Sequence, residues 1–268
     1  MIETLRPGAH ASCAKVVLFD FDGTLSTIRS GWVEVMVPMM VEELVATKSG
    51  ESEAELTEIV REYVGRLTGK DTIYQMIELA DQVTARGGKA EDPLVYKRRY
   101  LSRLWVMIKD RVESLRAGKA DPENYMVPGS RALLESLKAR GMKLYLASGT
   151  DDKDMKEEAR LLDVERYFDG GCHGALDAYK TFSKKILIDR IIGSAEAKGE
   201  EFLGFGDGFV EIEGVKSVGG VTVGVATDEP ECQRVDEWKR KRLVNVGADY
   251  IVPNFLKLRE LEQLLFPN

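Results

Sequence analysis

The sequence predicts an α/β fold: a doubly wound parallel sheet interrupted by an all-helical insertion. Three observations carry that expectation. Apolar runs of strand length recur, and the first, Val16-Val17-Leu18-Phe19, has no polar interruption, as in strands buried on both faces of a parallel sheet. Helical patterns separate the later runs, and such alternation implies right-handed crossovers between parallel strands. Between Leu25 and Val127 strand signals vanish and only helical patterns remain.

In chain order, Met1 to Ala14 contain Pro7, Gly8 and His10 and lack an apolar core, so residues 1–14 read as a flexible tail, neither signal peptide nor anchor. The first strand ends in Asp20. After it, Trp32, Val35, Met36, Met39, Met40 and Leu44 form a helical stripe. Ser52 with Glu55 makes a capping box for a second helix ending near Leu67. A third runs from Asp71 to Arg86 and stops at Gly87-Gly88. A fourth opens with Asp92 as cap and Pro93 in its first turn and runs towards Arg116. Its cluster Lys97, Arg98, Arg99 and Arg103 reads as a solvated face. Residues 26–127 are thus expected to form a helical domain, and residues 15–25 with 128–268 the α/β core.

Within that core, further strands are expected at Lys143–Ala147, Glu201–Phe205, Val221–Ala226 and Tyr250–Val252. Helices are expected at Ser130–Arg140, Asp152–Leu162, Ser183–Ile192, Gln233–Leu243 and Phe255–Leu265. His173, after Cys172 in a strand-like stretch, reads as structural.

Composition narrows the function classes. The 268 residues are 44% hydrophobic and 31% charged, ordinary for a chain that buries a core. A net charge of −7 argues against nucleic acid or an anionic membrane as main partner, since both reward dense Lys and Arg. A small anionic ligand needs only a few local cations. No apolar run approaches a membrane span. Cys13, Cys172 and Cys232 form no CxxC, and an odd count without a secretion signal fits a reducing cytosol, so a cytoplasmic location is expected. The oligomeric state is left open.

Open parallel sheets bind ligands at the carboxyl ends of their strands. There the sequence gathers Asp20-Phe21-Asp22-Gly23-Thr24-Leu25, then Ala147-Ser148-Gly149-Thr150, then Gly206-Asp207-Gly208 followed by Glu211. Lys180 and Lys184 precede the last of these. In this order the segments resemble the four motifs of the haloacid dehalogenase superfamily, over residues 15–254. The resemblance implies a Rossmannoid core, with the helical insertion as a cap between the first and second motifs. One departure is Glu211, where the family's fourth motif usually ends in aspartate.

The resemblance also implies the chemistry. A phosphate ester repels nucleophiles, so its site needs cations and a fixed in-line attacker. Asp20 would be the nucleophile, forming an aspartyl-phosphate. Asp22 would protonate the leaving oxygen and later deprotonate water. Ser148, the amide of Gly149 and Thr24 would bind the phosphoryl group. A lysine would balance its charge, and Lys184 is favoured over Lys180 because Ser183 is a good N-cap for the helix that Lys184 opens. Hard oxygen ligands without histidine or cysteine suit Mg²⁺, held by Asp20, the backbone carbonyl of Asp22, Asp207 and, directly or through water, Glu211. Lys70, in a turn between two cap helices, is expected to touch the substrate, with Arg29 in the hinge as a second candidate. The expected activity is a magnesium-dependent phosphatase acting on a small phosphorylated metabolite. The alternatives are a sugar phosphomutase of the β-phosphoglucomutase type and a phosphonate hydrolase that would use Lys70 as a Schiff-base lysine.

Overall fold

The computed structural model describes residues 1–177, 183–195 and 197–267. Among these, seven strands form one sheet: β1 (Glu3–Thr4), β2 (Val16–Phe19), β3 (Lys143–Asp151), β4 (Gly171–Ala175), β5 (Phe202–Gly206), β6 (Val221–Val225) and β7 (Tyr250–Val252). Their order is β1-β7-β6-β5-β2-β3-β4, and every pairing is parallel except β1 with β7. Strand β2 lies between β3 and β5, and the chain winds outward from it in both directions. The carboxyl end of β2 is therefore the crevice where such sheets bind ligands. All four residues of β2 are buried, as a strand covered on both faces requires. Phe19 stacks on Phe205 of β5 with ring centroids 4.7 Å apart, which fixes the two strand ends side by side.

Four helices fill the chain between β2 and β3: α1 (Trp32–Val45), α2 (Glu53–Leu67), α3 (Thr72–Ala85) and α4 (Pro93–Arg116). Ser52 and Glu55 form the expected capping box, and the Asp92 side chain caps α4. The chain leaves and re-enters the core along paired segments. Val127 N–H donates to the Leu25 carbonyl at 2.9 Å, and Thr27 N–H to the Tyr125 carbonyl at 2.9 Å. The Arg111 guanidinium ties α4 to the outgoing segment through the carbonyls of Ile28 and Ser30, each at 2.8 Å.

The core helices are α5 (Ser130–Ala139), α6 (Asp152–Leu161), α7 (Lys184–Ser194), α8 (Phe209–Ser217), α9 (Glu237–Asn245) and α10 (Leu258–Leu265). No helix among the described residues is long and apolar enough to cross a membrane.

The structure departs from the sequence-based expectations in four places. Residues 1–14 are not a loose tail: β1 pairs with the outer edge of β7, Ala9 and Ala11 are buried, and the Tyr250 hydroxyl donates to the Ala9 carbonyl. Strand β4 and helix α8 are additional elements. Helix α9 starts at Glu237, not Gln233, because the amides of Gln233 and Arg234 are held at 2.7 Å by the Asp228 carboxylate and Asp236 is the cap. Lys97 is not solvated: it is 4% exposed and reaches from α4 to Asp151 at 2.5 Å and Asp177 at 3.1 Å. A charge run read from sequence does not reveal which of its members meets a carboxylate on another element.

Candidate active site

At the end of β2 the chain turns, and the Asp20 amide still donates to the Phe205 carbonyl at 2.9 Å. The Asp20 carboxylate is thereby fixed at the strand tip. Its Oδ1 accepts the Phe21 amide at 2.7 Å and the Lys184 ammonium at 2.8 Å. Lys184 is the first residue of α7, where Ser183 Oγ accepts the Ile186 amide at 3.3 Å as N-cap. The same ammonium pairs with Glu211 of α8. All three groups are buried, Glu211 completely.

Burial pushes the Asp20 carboxyl well above its usual range, opposed by Lys184 and reinforced by the charges of Glu211 and Asp207. Burial raises Glu211 as well, again against Lys184. Burial would draw the Lys184 ammonium down, but its two carboxylate partners outweigh that and hold it protonated.

Asp22 stands two residues on. Its Oδ2 accepts the Thr150 hydroxyl at 2.8 Å and Ser148 Oγ at 3.3 Å, while Oδ1 is buried without a hydrogen-bond partner. Burial raises its pKa, opposed by the charge of Arg29 and the Thr150 bond. A carboxyl group so placed is suited to hold and release a proton, as an acid and base must. Arg29 is itself buried, with its guanidinium on Glu158 at 2.7–3.1 Å, so it meets the site as a fixed positive charge.

These groups share one cavity of about 90 Å³. Asp20, Asp22, Lys184, Asp207, Gly149 and Thr150 line its floor, and Arg29, Trp32, Gln75, Tyr100 and the Thr68-Gly69-Lys70 turn line the rest. Small-molecule pockets usually offer ~300–1,000 Å³, so this one is narrow. The narrowing is made by the turn between α2 and α3. A Cβ on Gly69 would lie 2.9 Å from the Cα of Gly208, and a Cβ on Gly149 would lie 2.7 Å from the Lys70 carbonyl oxygen. Only glycine permits these approaches. The Asp71 carboxylate completes the contact by accepting the Lys184 amide at 3.2 Å.

The structure thus brings Asp20, Asp22, Gly149, Lys184, Asp207 and Lys70 to one cavity. Lys70 is exposed there, its ammonium 5.5 Å from the Tyr74 ring centroid and 5.8 Å from that of Phe209. Three expected residues do something else. Thr24 is fully buried, and its hydroxyl accepts the Asp207 amide at 2.9 Å, so it ties the first motif to the fourth and does not face the cavity. Ser148 turns its hydroxyl onto Asp22 and the Thr150 amide, leaving Thr150 at the cavity wall. Glu211 lies behind Lys184, not on the wall, because its extra methylene lets it reach the ammonium. Lys180 lies outside the described residues.

Two functional candidates escaped the sequence reading. The Lys239 ammonium of α9 stands 3.1 Å from Asp207 Oδ2 and 2.6 Å from Glu229 Oε1. Glu229 in turn accepts the Ser30 hydroxyl at 2.7 Å. Neither residue belongs to a local pattern; only the fold brings them together.

The residues suit a hard divalent cation. Asp20 and Asp207 are hard oxygen donors that line one cavity, and among the described residues no histidine or cysteine stands with them there. Among the described residues no three His, Cys, Asp or Glu are gathered at metal-ligand spacing. Lysines hold Asp20 and Asp207 instead.

A family model of haloacid dehalogenase-like hydrolases matches residues 14–219. No curated protein matches the chain. Among solved structures it is similar to a predicted phosphoglycolate phosphatase from Haemophilus somnus 129PT, at 18% identity over 94% of this chain and 99% of that one, TM-score 0.56. It is also similar to β-phosphoglucomutase from Clostridium difficile, at 14% identity over 93% and 96%, TM-score 0.56. A third is a haloacid dehalogenase-family hydrolase from Bacillus subtilis, bound to magnesium and described as revealing interdomain movement. It shares 13% identity over 92% and 98%, TM-score 0.53. At these identities the likeness is one of fold.

Proposed function

The chain belongs to the haloacid dehalogenase-like hydrolase family, and from that premise we propose that it is a magnesium-dependent phosphatase of a small phosphorylated metabolite. The observation that carries the reading is the pairing at the β2 tip: Asp20 held by Lys184, and Asp22 two residues on with a raised pKa, both facing one narrow cavity.

In the proposed reaction, Asp20 attacks phosphorus through Oδ2, since Lys184 and the Phe21 amide occupy Oδ1. The bond from phosphorus to the leaving oxygen breaks as Asp22 delivers its proton to that oxygen. Water then attacks the aspartyl-phosphate, Asp22 takes the water's proton, and the bond from phosphorus to Asp20 breaks. Phosphate and free Asp20 result. Lys184 and the Gly149 amide offset charge on the phosphoryl oxygens, and Glu211 holds Lys184 in place. Asp20, the Asp22 carbonyl and Asp207 would hold Mg²⁺, which when bound supplies charge neutralisation for the phosphoryl group. The four inserted helices, residues 26–127, act as a cap whose Lys70 turn contacts the leaving group.

Phosphate release from a panel of phosphorylated metabolites tests this reading, with Asp20→Asn as control. Release that needs Mg²⁺ and falls at least about a hundredfold in Asp20→Asn is expected. Asp20→Asn activity within tenfold of wild type, with folding intact, refutes the nucleophile. Conversion of a hexose 1-phosphate without phosphate release makes the protein a mutase.

A further inference from the structure

A buried carboxylate chosen to bind a divalent ion must also be tolerated before that ion arrives. Asp207 is such a group: it is 8% exposed and already in contact with a cation of the chain itself. The Lys239 ammonium lies between Asp207 and Glu229, with 12% of its side chain exposed. Its position is set by α9, whose cap Asp236 accepts the Lys239 amide at 2.8 Å. A Cβ on Gly23 would stand 2.9 Å from both Asp207 Cγ and Glu229 Oε1. Both carboxylates therefore abut the Asp22-Gly23 segment, whose carbonyl is the other non-nucleophile ligand in the reading above.

Lys239 approaches from its own side. It lines a second cavity of about 430 Å³ together with Asp207, Glu229, Asp236, Glu34 and Arg61. The catalytic cavity is lined by Asp207 and Lys184 but not by Lys239. Lys239 is thus placed on the metal carboxylate and not on the phosphoryl group. The second cavity also leaves room for the ammonium to withdraw.

We propose that Lys239 is a built-in counter-cation that competes with the divalent metal ion for Asp207, with Glu229 as the carboxylate that keeps it when the metal binds. The inference rests on Asp207 being a metal ligand. Without metal, Lys239 neutralises Asp207 and limits its repulsion of Asp20. When a divalent ion binds, a unit charge so close to it is repelled, and Lys239 leaves Asp207 while keeping its bond to Glu229. Metal affinity is then set by an exchange of cations, lower than the oxygen ligands alone would give.

Calorimetric titration of the substrate-free protein with Mg²⁺ tests this without turnover. Lys239→Met should tighten Kd at least about tenfold, because a competing charge is gone. Its metal-free Tm should fall, and Mg²⁺ should restore it. Lys239→Arg should keep a Kd near that of wild type. Glu229→Gln should weaken binding, since Lys239 then has Asp207 alone. An unchanged or weaker Kd in a folded Lys239→Met overturns the proposal. If that variant does not fold, an unchanged or tighter Kd in Glu229→Gln overturns it instead. Asp207→Ala separates the two readings. If it binds Mg²⁺ like wild type, Asp207 is no ligand and the metal reading fails. If it loses binding while Lys239→Met is unchanged, only the counter-cation fails.

Discussion

Lys184 is the residue on which most of the site's electrostatics converges. It is held by Asp20 on one side and Glu211 on the other, and its backbone amide is fixed by Asp71. A charge so preorganised is worth far more than one in water, and Lys184→Ala is expected to lower kcat by about a hundredfold or more. Glu211→Gln should cost less, because it leaves the ammonium and its bond to Asp20 in place. Steady-state kinetics of the two variants give the ranking, and the reverse order would reject Glu211 as a mere support. Lys184 was legible in the sequence because a local rule applied: Ser183 is an N-cap and the next residue opens a helix. Asp20, Asp22 and Asp207 were legible for a similar reason, since each ends or follows an apolar strand. Thr24 was not legible in this role because its hydroxyl answers a buried amide 183 residues away, and no local pattern shows that. Lys239 and Glu229 had no signal at all, being ordinary charges until α9 packs beside the sheet.

At the scale of elements, the strands with unbroken apolar runs and the capped helices α2, α4 and α7 match expectation, and the exceptions have causes of their own. Strand β1 is two residues, Glu and Thr, neither apolar, and it exists because β7 offers an open edge. Helix α8 buries Val210, Glu211, Ile212, Gly214 and Val215, so its burial is nearly continuous and lacks the period that marks a helix in sequence. The short strand has a measurable role. The Leu5 amide donates to the Asp249 carbonyl at 2.8 Å, and Arg6 pairs with the Asp249 carboxylate at 2.7 Å. Deleting residues 1–6 should therefore lower stability by about 2 kcal/mol, the sum of a few hydrogen bonds at roughly 1 kcal/mol each. The denaturation midpoint in urea reads this directly. An unchanged midpoint would mean that the edge pairing contributes nothing. The bared β7 edge should also make the shortened chain more prone to associate, visible in light scattering.

Across the whole molecule, the four inserted helices share an apolar cluster with the core, and specific polar and backbone contacts add to it. One is buried, Lys97 on Asp151, and one is the close approach of the Thr68–Asp71 turn to Gly149 and Gly208. Gly69 has φ of +100°, and a side chain there would meet the Gly208 backbone. Gly69→Ala is thus expected to hinder closure and to lower kcat/KM by about tenfold or more, the scale of a small misplacement at a reacting centre. Its Tm should fall only modestly, by the local cost of a Cβ at positive φ, because the turn buries little apolar surface. A loss of Tm without loss of kcat/KM would contradict this view of the turn.

That glycine contact also has a consequence in time. With a cavity of about 90 Å³ behind it, a substrate of ordinary metabolite size has little room while the turn is seated. On the proposed reading, binding such a substrate requires the turn to part from the core, a slow displacement compared with proton transfer. For a good substrate that displacement is expected to limit turnover, and hydrodynamic drag with it. kcat should decline in proportion to added microviscogen, while a poor substrate, slow in its chemistry, should be indifferent to it.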